Sequence, residues 1–196
     1  MTYIDFHTHR VPSAPDVASV VDGRDTWGIH PWRAGETFVF PDLSDMLAIG
    51  ECGFDGMRGP SMERQEEVFQ QHVRQSEENG KPLIVHCVRA LDILLRQRRE
   101  QHPTMPWMLH GFRGKPQQLR SLLAAGFYVG FGFHYNEESL RLCPTNRLML
   151  ETDDEYSPIA FLYNNVSEVR GIDVSSLCVA MAENYRTFFG KEPLHT

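Results

Sequence analysis

Six side chains of the types that bind metal ions each follow a short apolar segment of the chain. They are His7, His9, Glu51, His86, His110 and Asp153. Residues i and i+2 of a strand project to the same face, so His7 and His9 are predicted to point side by side. A carboxylate at the end of an apolar strand also needs a partner, because burying an isolated charge is costly. The pattern predicts a site for divalent metal ions. The alternative is a set of surface histidines and buried, hydrogen-bonded carboxylates.

The last apolar segment leaves the choice of carboxylate open. Residues 148–150 are followed by Glu151, Thr152 and Asp153. Glu151 and Asp153 share one strand face by the period of two, so spacing alone allows either of them as a ligand.

Predicted helices alternate with the apolar strands. The helices cover about 61–80, 89–101, 116–126, 157–170 and 173–190, and a further glycine-containing strand covers 127–133. This alternation predicts a parallel sheet, and continuous apolar strands predict burial on both faces. A ring of such strands is a TIM-like (β/α) barrel, in which chemistry lies at the C-terminal ends of the strands. We therefore predict one metal-dependent hydrolase barrel domain over residues 1–196, a length typical of a single domain.

Residues 10–26 do not fit a regular barrel. Pro12 and Pro15 exclude a helix interior, and residues 22–25 have the composition of a turn. A parallel crossover needs about a dozen residues or more, which this segment does not supply. Either the second strand is missing, or Val17–Val21 forms it without a crossover helix. We predict a shortened or distorted barrel with its gap near this second strand.

Composition narrows the class of protein. The formal net charge is −7, with 41% hydrophobic and 23% charged residues. The composition is ordinary for a globular protein, and the negative net charge argues against a protein that binds nucleic acid nonspecifically through a basic surface. The chain has no apolar run long enough for a membrane span and no secretory signal pattern. The four cysteines are far apart and predict reduced thiols in a cytoplasmic protein. No membrane association and no obligate protein partner are indicated.

The ordered set of motifs resembles the TatD family of metal-dependent hydrolases, which are amidohydrolase-type barrels. The matching stretches are DFHTH at 5–9, GIHP at 28–31, AIGECGFD at 48–55, PLIVH at 82–86, HGFRG at 110–114 and LETD at 150–153. The resemblance covers nearly the whole chain. It implies a deoxyribonuclease-like phosphodiesterase that uses divalent metals.

The resemblance also assigns roles to the six residues. His7, His9 and Asp153 would hold one ion, and His86 and His110 the other. Glu51 would lie between the two ions. Asp153 is selected over Glu151 and would also accept a proton from the attacking water. Mixed histidine and carboxylate ligands suit zinc or manganese, whereas more oxygen ligands would favour magnesium, and the sequence does not choose among these metals.

The loops that would contact substrate depart from the family pattern. Trp32 stands where the family often has histidine, and residues 154–156 replace the usual Ser-Pro-Tyr. The family's usual arginine comes two residues after His86, where this chain has Val88, followed by Arg89. We predict that His30, Trp32 and Arg113 contact substrate. Cations that follow strand ends could meet phosphate, and aromatic residues there could stack on bases. The cations are Arg58, Arg89 and Arg113, and the aromatic residues are Trp32, Phe112 and Tyr156.

Three functions remain. The first is a TatD-like deoxyribonuclease that cleaves phosphodiester bonds in DNA. The second is a metal-dependent hydrolase of a small phosphoester, ester, lactone or amide. The acidic net charge and the short segment at residues 10–26 favour this second function over action on DNA. The third is a metal-binding protein without turnover. The complete set of ligand-type residues argues against it, because burying unused histidines and carboxylates is costly.

The remaining histidines lie outside the motifs that carry the six ligand-type residues. We predict that His72, His102 and His195 are structural or exposed. His134 follows a predicted strand and could line the site.

Overall fold

Strands and helices alternate along most of the chain, as the sequence predicts. The computed structural model describes residues 2–11 and 14–193. Within them lie eight strands: β1 (Tyr3–Thr8), β2 (Val17–Val21), β3 (Thr26–Trp27), β4 (Ala48–Asp55), β5 (Leu83–Val88), β6 (Trp107–Leu109), β7 (Tyr128–Phe131) and β8 (Leu148–Leu150). The same residues form six α-helices: α1 (Met62–Asn79), α2 (Leu91–Gln101), α3 (Pro116–Ala124), α4 (Glu137–Leu142), α5 (Ile159–Arg170) and α6 (Val174–Phe189). Two short 3₁₀ turns cover Pro31–Arg33 and Thr145–Arg147.

All of these strands pair in parallel, in two sheets. One sheet has the order β3-β4-β5-β6-β7-β8, and the other contains β1 and β2. Isolated parallel bridges connect the two sheets on both sides, from Thr8 to Asp153 and from Asp22 to Thr26. The strands therefore follow one another in a ring that is not closed by continuous pairing. This arrangement confirms the predicted distorted (β/α) barrel.

The predicted gap lies between β1 and β3. Val17–Val21 does form the second strand and pairs in parallel with β1, with Tyr3 opposite Val17. No helix is present in the described residues between these two strands, so the alternative without a crossover helix is the one observed. The N–H of Asp22 then donates to the carbonyl of Thr8 at 2.9 Å, which ties the end of β2 to the end of β1.

Local capping signals fix the ends of α1 and α6. Ser61 Oγ accepts from a backbone N–H in the first turn of α1, and Gly80 ends that helix in the left-handed conformation. Asp173 and Gly190 bound α6 in the same way. The short helix α4 was not predicted, because six residues carry too little periodicity to separate a helix from a loop.

The barrel interior and the helix-facing sides of the strands are apolar. Fully buried members of this core include Ile4, Phe6, Ile49, Phe54, Ile84, Trp107, Val129 and Met149. Among the described residues, no helix combines the length and the apolar character needed to cross a membrane. The core thus supports short strands whose last residues project into the mouth of the barrel.

Candidate metal centre

Glu51 lies at the centre of a group of histidines at the barrel mouth. It is carried by β4, and only 4% of its side chain is exposed. Its Oε1 lies 2.7 Å from both His86 Nδ1 and His110 Nε2. Its Oε2 lies 3.5 Å from both His7 Nε2 and His9 Nε2. Oε2 therefore faces His7 and His9, whereas Oε1 faces His86 and His110 together with His30, whose Nε2 lies 3.2 Å away.

Asp153 reaches the first of these pairs. Its Oδ1 lies 3.4 Å from His9 Nε2 and 3.8 Å from His7 Nε2. The N–H of Asp153 donates to the carbonyl of His7 at 3.0 Å, and the N–H of His9 donates to the carbonyl of Asp153 at 3.2 Å. Asp153 also has a φ of +53°, an uncommon value for a residue with a side chain. The end of β1 and Asp153, three residues beyond the end of β8, are thus held side by side.

Glu151 occupies a different position from Asp153. It is fully buried, and its Oε1 accepts from the N–H of Gly111. The same oxygen lies 3.8 Å from His110 Nδ1, on the side of the ring away from Glu51. The structure therefore brings Asp153, and not Glu151, to the histidines of β1.

Sequence reasoning missed three further carboxylates around the histidines. Asp22 Oδ2 lies 3.5 Å from His9 Nδ1, and Asp55 Oδ2 lies 3.4 Å from His86 Nε2. Outer carboxylates of this kind orient metal-binding histidines. Asp22 had only the composition of a turn, and its role depends on a contact that local sequence does not reveal. Asp55 is part of the AIGECGFD motif, which offered a signal for it.

The third missed carboxylate is Asp5. Its two oxygens accept from the N–H and the hydroxyl of Thr152, at 3.0 Å and 2.7 Å. Burial is the main cause that raises the pKa of Asp5 to about 7, although the hydrogen bonds from Thr152 oppose the rise. This contact connects the first residue of the DFHTH motif to the LETD motif and supports the placement of Asp153.

The predicted substrate residues lie in two adjoining cavities. His30 and Trp32 line a cavity of about 380 Å³ together with Glu51. Arg113 lines a second cavity of about 470 Å³, which shares His110 with the first. Trp32 is half-exposed, and its Nε1 donates to Asp55 at 2.6 Å.

Other predicted contact residues surround these cavities. The guanidinium of Arg58 lies over the Trp32 ring at 4.7 Å. Arg89 and Phe112 line the second cavity. Tyr156 lies outside both and is covered by the guanidinium of Arg10.

The other histidines have separate roles. His72 is buried, where its Nε2 accepts from the N–H of Ile29 at 2.9 Å, so it is structural. His102 is exposed and follows α2. His134 is exposed, pairs with Glu155 at 2.9 Å and does not line the cavity that contains Glu51. The prediction for His195 lies outside the described residues.

The donor set fits divalent metal ions. Three groups of ligand atoms converge within 4.8 Å: His7, His9 and Asp153; His7, Glu51 and His110; and His30, Glu51 and His86. Neither ring nitrogen of His7 has a hydrogen-bond partner among the described residues, although the ring is fully buried. Buried polar groups are rarely left without partners, and imidazole and carboxylate are the usual ligands of zinc.

The electrostatics of the centre agree with this fit. Burial alone would raise the pKa of Glu51, but the facing His110, His30 and His7 side chains hold it well below its usual range. A hydrogen bond to Asp153, followed by those to Asp22 and Glu51, raises the pKa of His9 to about 12. Positive charge is therefore strongly favoured at this end of the barrel.

Comparisons with known proteins agree with the site and the fold. The family model "TatD related DNase" matches residues 18–190. The 3'-5' ssDNA/RNA exonuclease TatD of Citrobacter rodentium is 31% identical over 211 residues, an alignment that covers 84% of this chain and 76% of that protein. The Escherichia coli protein YcfH, named as an uncharacterized metal-dependent hydrolase, is 29% identical over 190 residues, covering 83% and 72%.

Solved structures show the same architecture. The TatD homolog YjjV of Escherichia coli K12 superposes with a TM-score of 0.72 at 19% identity, over 91% of this chain and 79% of that chain. A TatD family hydrolase from Entamoeba histolytica superposes with a TM-score of 0.68 at 15% identity, over 76% and 64%. The chain therefore belongs to the TatD-related DNase family of metal-dependent hydrolases.

Proposed function

We propose that the protein is a deoxyribonuclease that hydrolyses phosphodiester bonds with two divalent metal ions. The observation that carries this proposal is the position of Glu51, whose two oxygens face two separate groups of histidines. His7, His9 and Asp153 would hold one ion, and His86 and His110 the other. Glu51 would contact both. Zinc and manganese match this nitrogen-rich set better than magnesium.

The protein residues would divide the work of hydrolysis. Paired divalent ions lower the pKa of bound water and stabilise the attacking and leaving oxygens of a phosphodiester. Asp153 is a carboxylate at the cavity surface, and hydrogen bonding from His9 helps to keep its pKa low despite partial burial. It would accept the proton of the attacking water.

The surroundings of the centre support a single-stranded substrate. Trp32 is half-exposed beside the cavity, and exposed aromatic rings stack on unpaired bases. Arg89 and Arg113 line the adjoining cavity, where they would neutralise phosphates on either side of the scissile bond. The TatD relatives are named as exonucleases of ssDNA and RNA, which supports the same substrate class.

Parallel hydrolysis assays test this proposal. End-labelled single-stranded DNA, bis(4-nitrophenyl) phosphate, a lactone and an amide would be incubated with manganese or zinc and with metal-stripped protein. We expect metal-dependent shortening of the DNA. Turnover of the lactone or the amide with intact DNA would favour the small-molecule alternative, and metal binding without any turnover would contradict both enzyme functions.

A single domain over residues 1–196 and a cytoplasmic location remain predictions.

A further inference from the structure

The carboxylate of Asp55 has partners on both of its oxygens. Oδ1 accepts from the backbone N–H groups of Met57 and Arg58, at 2.7 Å and 3.1 Å. Oδ2 accepts from the indole N–H of Trp32 at 2.6 Å and lies 3.4 Å from His86 Nε2. An indole N–H can only donate, so the direction of its hydrogen bond is fixed. The oxygen that faces a proposed metal ligand is therefore held by a tryptophan.

The main chain around Asp55 is fixed separately, by the buried Gln65 of α1. Gln65 Oε1 accepts from the N–H of Asp55 at 2.8 Å. Its Nε2 donates to the carbonyls of Asp55, Arg58 and Pro60, at 3.1, 3.2 and 3.0 Å. These contacts hold the backbone of the loop. The direction of Oδ2 then depends on its partner from outside the loop, the indole of Trp32.

The position of the Trp32 ring is itself defined by its surroundings. Trp32 lies in the 3₁₀ turn Pro31–Arg33, which packs closely against Gly59 of the loop. A Cβ at Gly59 would lie 2.7 Å from the carbonyl oxygen of Pro31 and 3.1 Å from the Cα of Trp32. The guanidinium of Arg58 lies over the ring at 4.7 Å. The turn and the loop together direct the indole N–H to the carboxylate.

We propose that Trp32 is a positioning residue of the metal centre, which acts through Asp55 to hold His86 in place for the ion that His86 would bind. Hydrogen-bond partners beyond the ligands orient metal-binding histidines and support metal affinity. The N–H and the ring of Trp32 then have separate roles, because only the N–H reaches Asp55, whereas the ring is the part that could stack on a base. The proposal rests on the two-ion centre of the proposed function and not on its substrate.

Zinc titration of two tryptophan variants tests this role. Trp32→Phe keeps an aromatic ring and removes the N–H. We expect one of the two ions to bind about 3- to 10-fold more weakly, less than the about 10- to 100-fold that follows loss of a direct partner of a ligand, and the other ion to bind as before. Trp27→Phe is the matched control and should bind both ions as the unchanged protein does. Trp27 packs against Phe40 and His72, and in the described part of the chain it makes no hydrogen bond to Asp55.

A double variant shows whether the effect passes through His86. His86→Ala should keep mainly one ion. Adding Trp32→Phe to it should leave the affinity for this remaining ion unchanged, because the ligand that Trp32 positions is already gone. A weaker remaining ion would show a general disturbance of the barrel mouth and would overturn the proposal.

Hydrogen exchange of the indole N–H groups tests the same coupling without a variant. Zinc on His86 should fix the ring against Asp55, and the partners of Asp55 should be fixed with it, because coupling between two sites is reciprocal. We expect the indole N–H of Trp32 to exchange with solvent several-fold more slowly after zinc is added, and that of Trp27 to exchange at an unchanged rate. An unchanged rate for Trp32 would overturn the proposal.

The positioning role and the two-ion centre fail in different ways. Two ions bound equally tightly by the unchanged protein and by Trp32→Phe would exclude the positioning role alone. Failure of the unchanged protein to bind two zinc ions would instead contradict the two-ion centre of the proposed function, and it would be seen before any variant is compared.

Discussion

At the residue scale, two neighbouring acids of the LETD motif occupy separate environments. Asp153 lies at the cavity surface beside His9, whereas Glu151 is fully buried behind His110. Sequence periodicity could not distinguish them, because both share a strand face. The resemblance to the family favoured Asp153. The left-handed backbone at this residue, which no sequence pattern indicated, turns it toward β1.

The position of Asp153 predicts a loss of turnover without a loss of folding. Asp153→Asn keeps the size of the side chain and one oxygen but removes the basic carboxylate. We expect kcat to fall about 10²- to 10⁴-fold at saturating metal, as measured with end-labelled single-stranded DNA. Asp154→Asn is the control, because Asp154 lines the same cavity without being one of the proposed ligands. Near-full turnover by Asp153→Asn would show that Asp153 is not the proton acceptor.

At the element scale, the parts that could be predicted from sequence are those that depend on local signals. The ends of α1 and α6 follow from Ser61, Gly80, Asp173 and Gly190, because capping involves only neighbouring residues. The positions of the predicted ligands at or near the ends of apolar strands also follow from local pattern, although β4 continues beyond Glu51 to Asp55. The outer carboxylate Asp22 was not predictable, because its contact with His9 depends on how two strands meet in space.

His72 joins two elements and gives the fold a dependence on pH. It packs in α1 and accepts from the N–H of Ile29, just beyond β3. Burial lowers its pKa from 6.5 to about 4, so the folded protein keeps the ring neutral while the unfolded chain binds a proton below pH 6.5. The contribution to stability is therefore complete above pH 6.5 and is lost as the pH falls toward 4, by about 3 kcal/mol in total.

This dependence can be measured with His72→Gln, which cannot titrate in this range. We expect the difference in the free energy of unfolding between the unchanged protein and the variant to shrink as the pH falls from 6.5 to 4. Urea unfolding at several pH values gives this difference. A difference that is independent of pH would show that His72 is not kept neutral by burial.

At the scale of the whole molecule, the gap in the barrel and the metal centre share one residue. Asp22 forms the bridge to Thr26 that connects β2 to β3, and its carboxylate faces His9. The hydroxyl of Thr26 donates to Asp22 at 2.9 Å, which fixes that carboxylate. The segment between β1 and β3 therefore supplies a carboxylate partner for the proposed ligand His9, although the described part of this segment contains no helix.

Two variants of the same turn test this connection. Asp22→Asn should weaken binding of the ion at His9 by about 10- to 100-fold, the usual effect of losing an outer partner. Asp25→Asn is the matched control, because Asp25 accepts from the N–H of Val21 at 2.8 Å and supports the same turn without contacting His9 in the structure. Calorimetry with zinc should show weakened binding for the first variant alone. Equal losses in both variants would mean that the turn, and not the carboxylate, matters.

We propose that Glu51 contacts two metal ions at once, and a zinc titration of three proteins tests this most directly. We expect the unchanged protein to bind two ions, His86→Ala to lose mainly one, and Glu51→Ala to bind both weakly, because each carboxylate oxygen faces a different group of histidines. Circular dichroism would confirm that each variant is folded. If Glu51→Ala bound two ions as tightly as the unchanged protein, Glu51 would not bridge them.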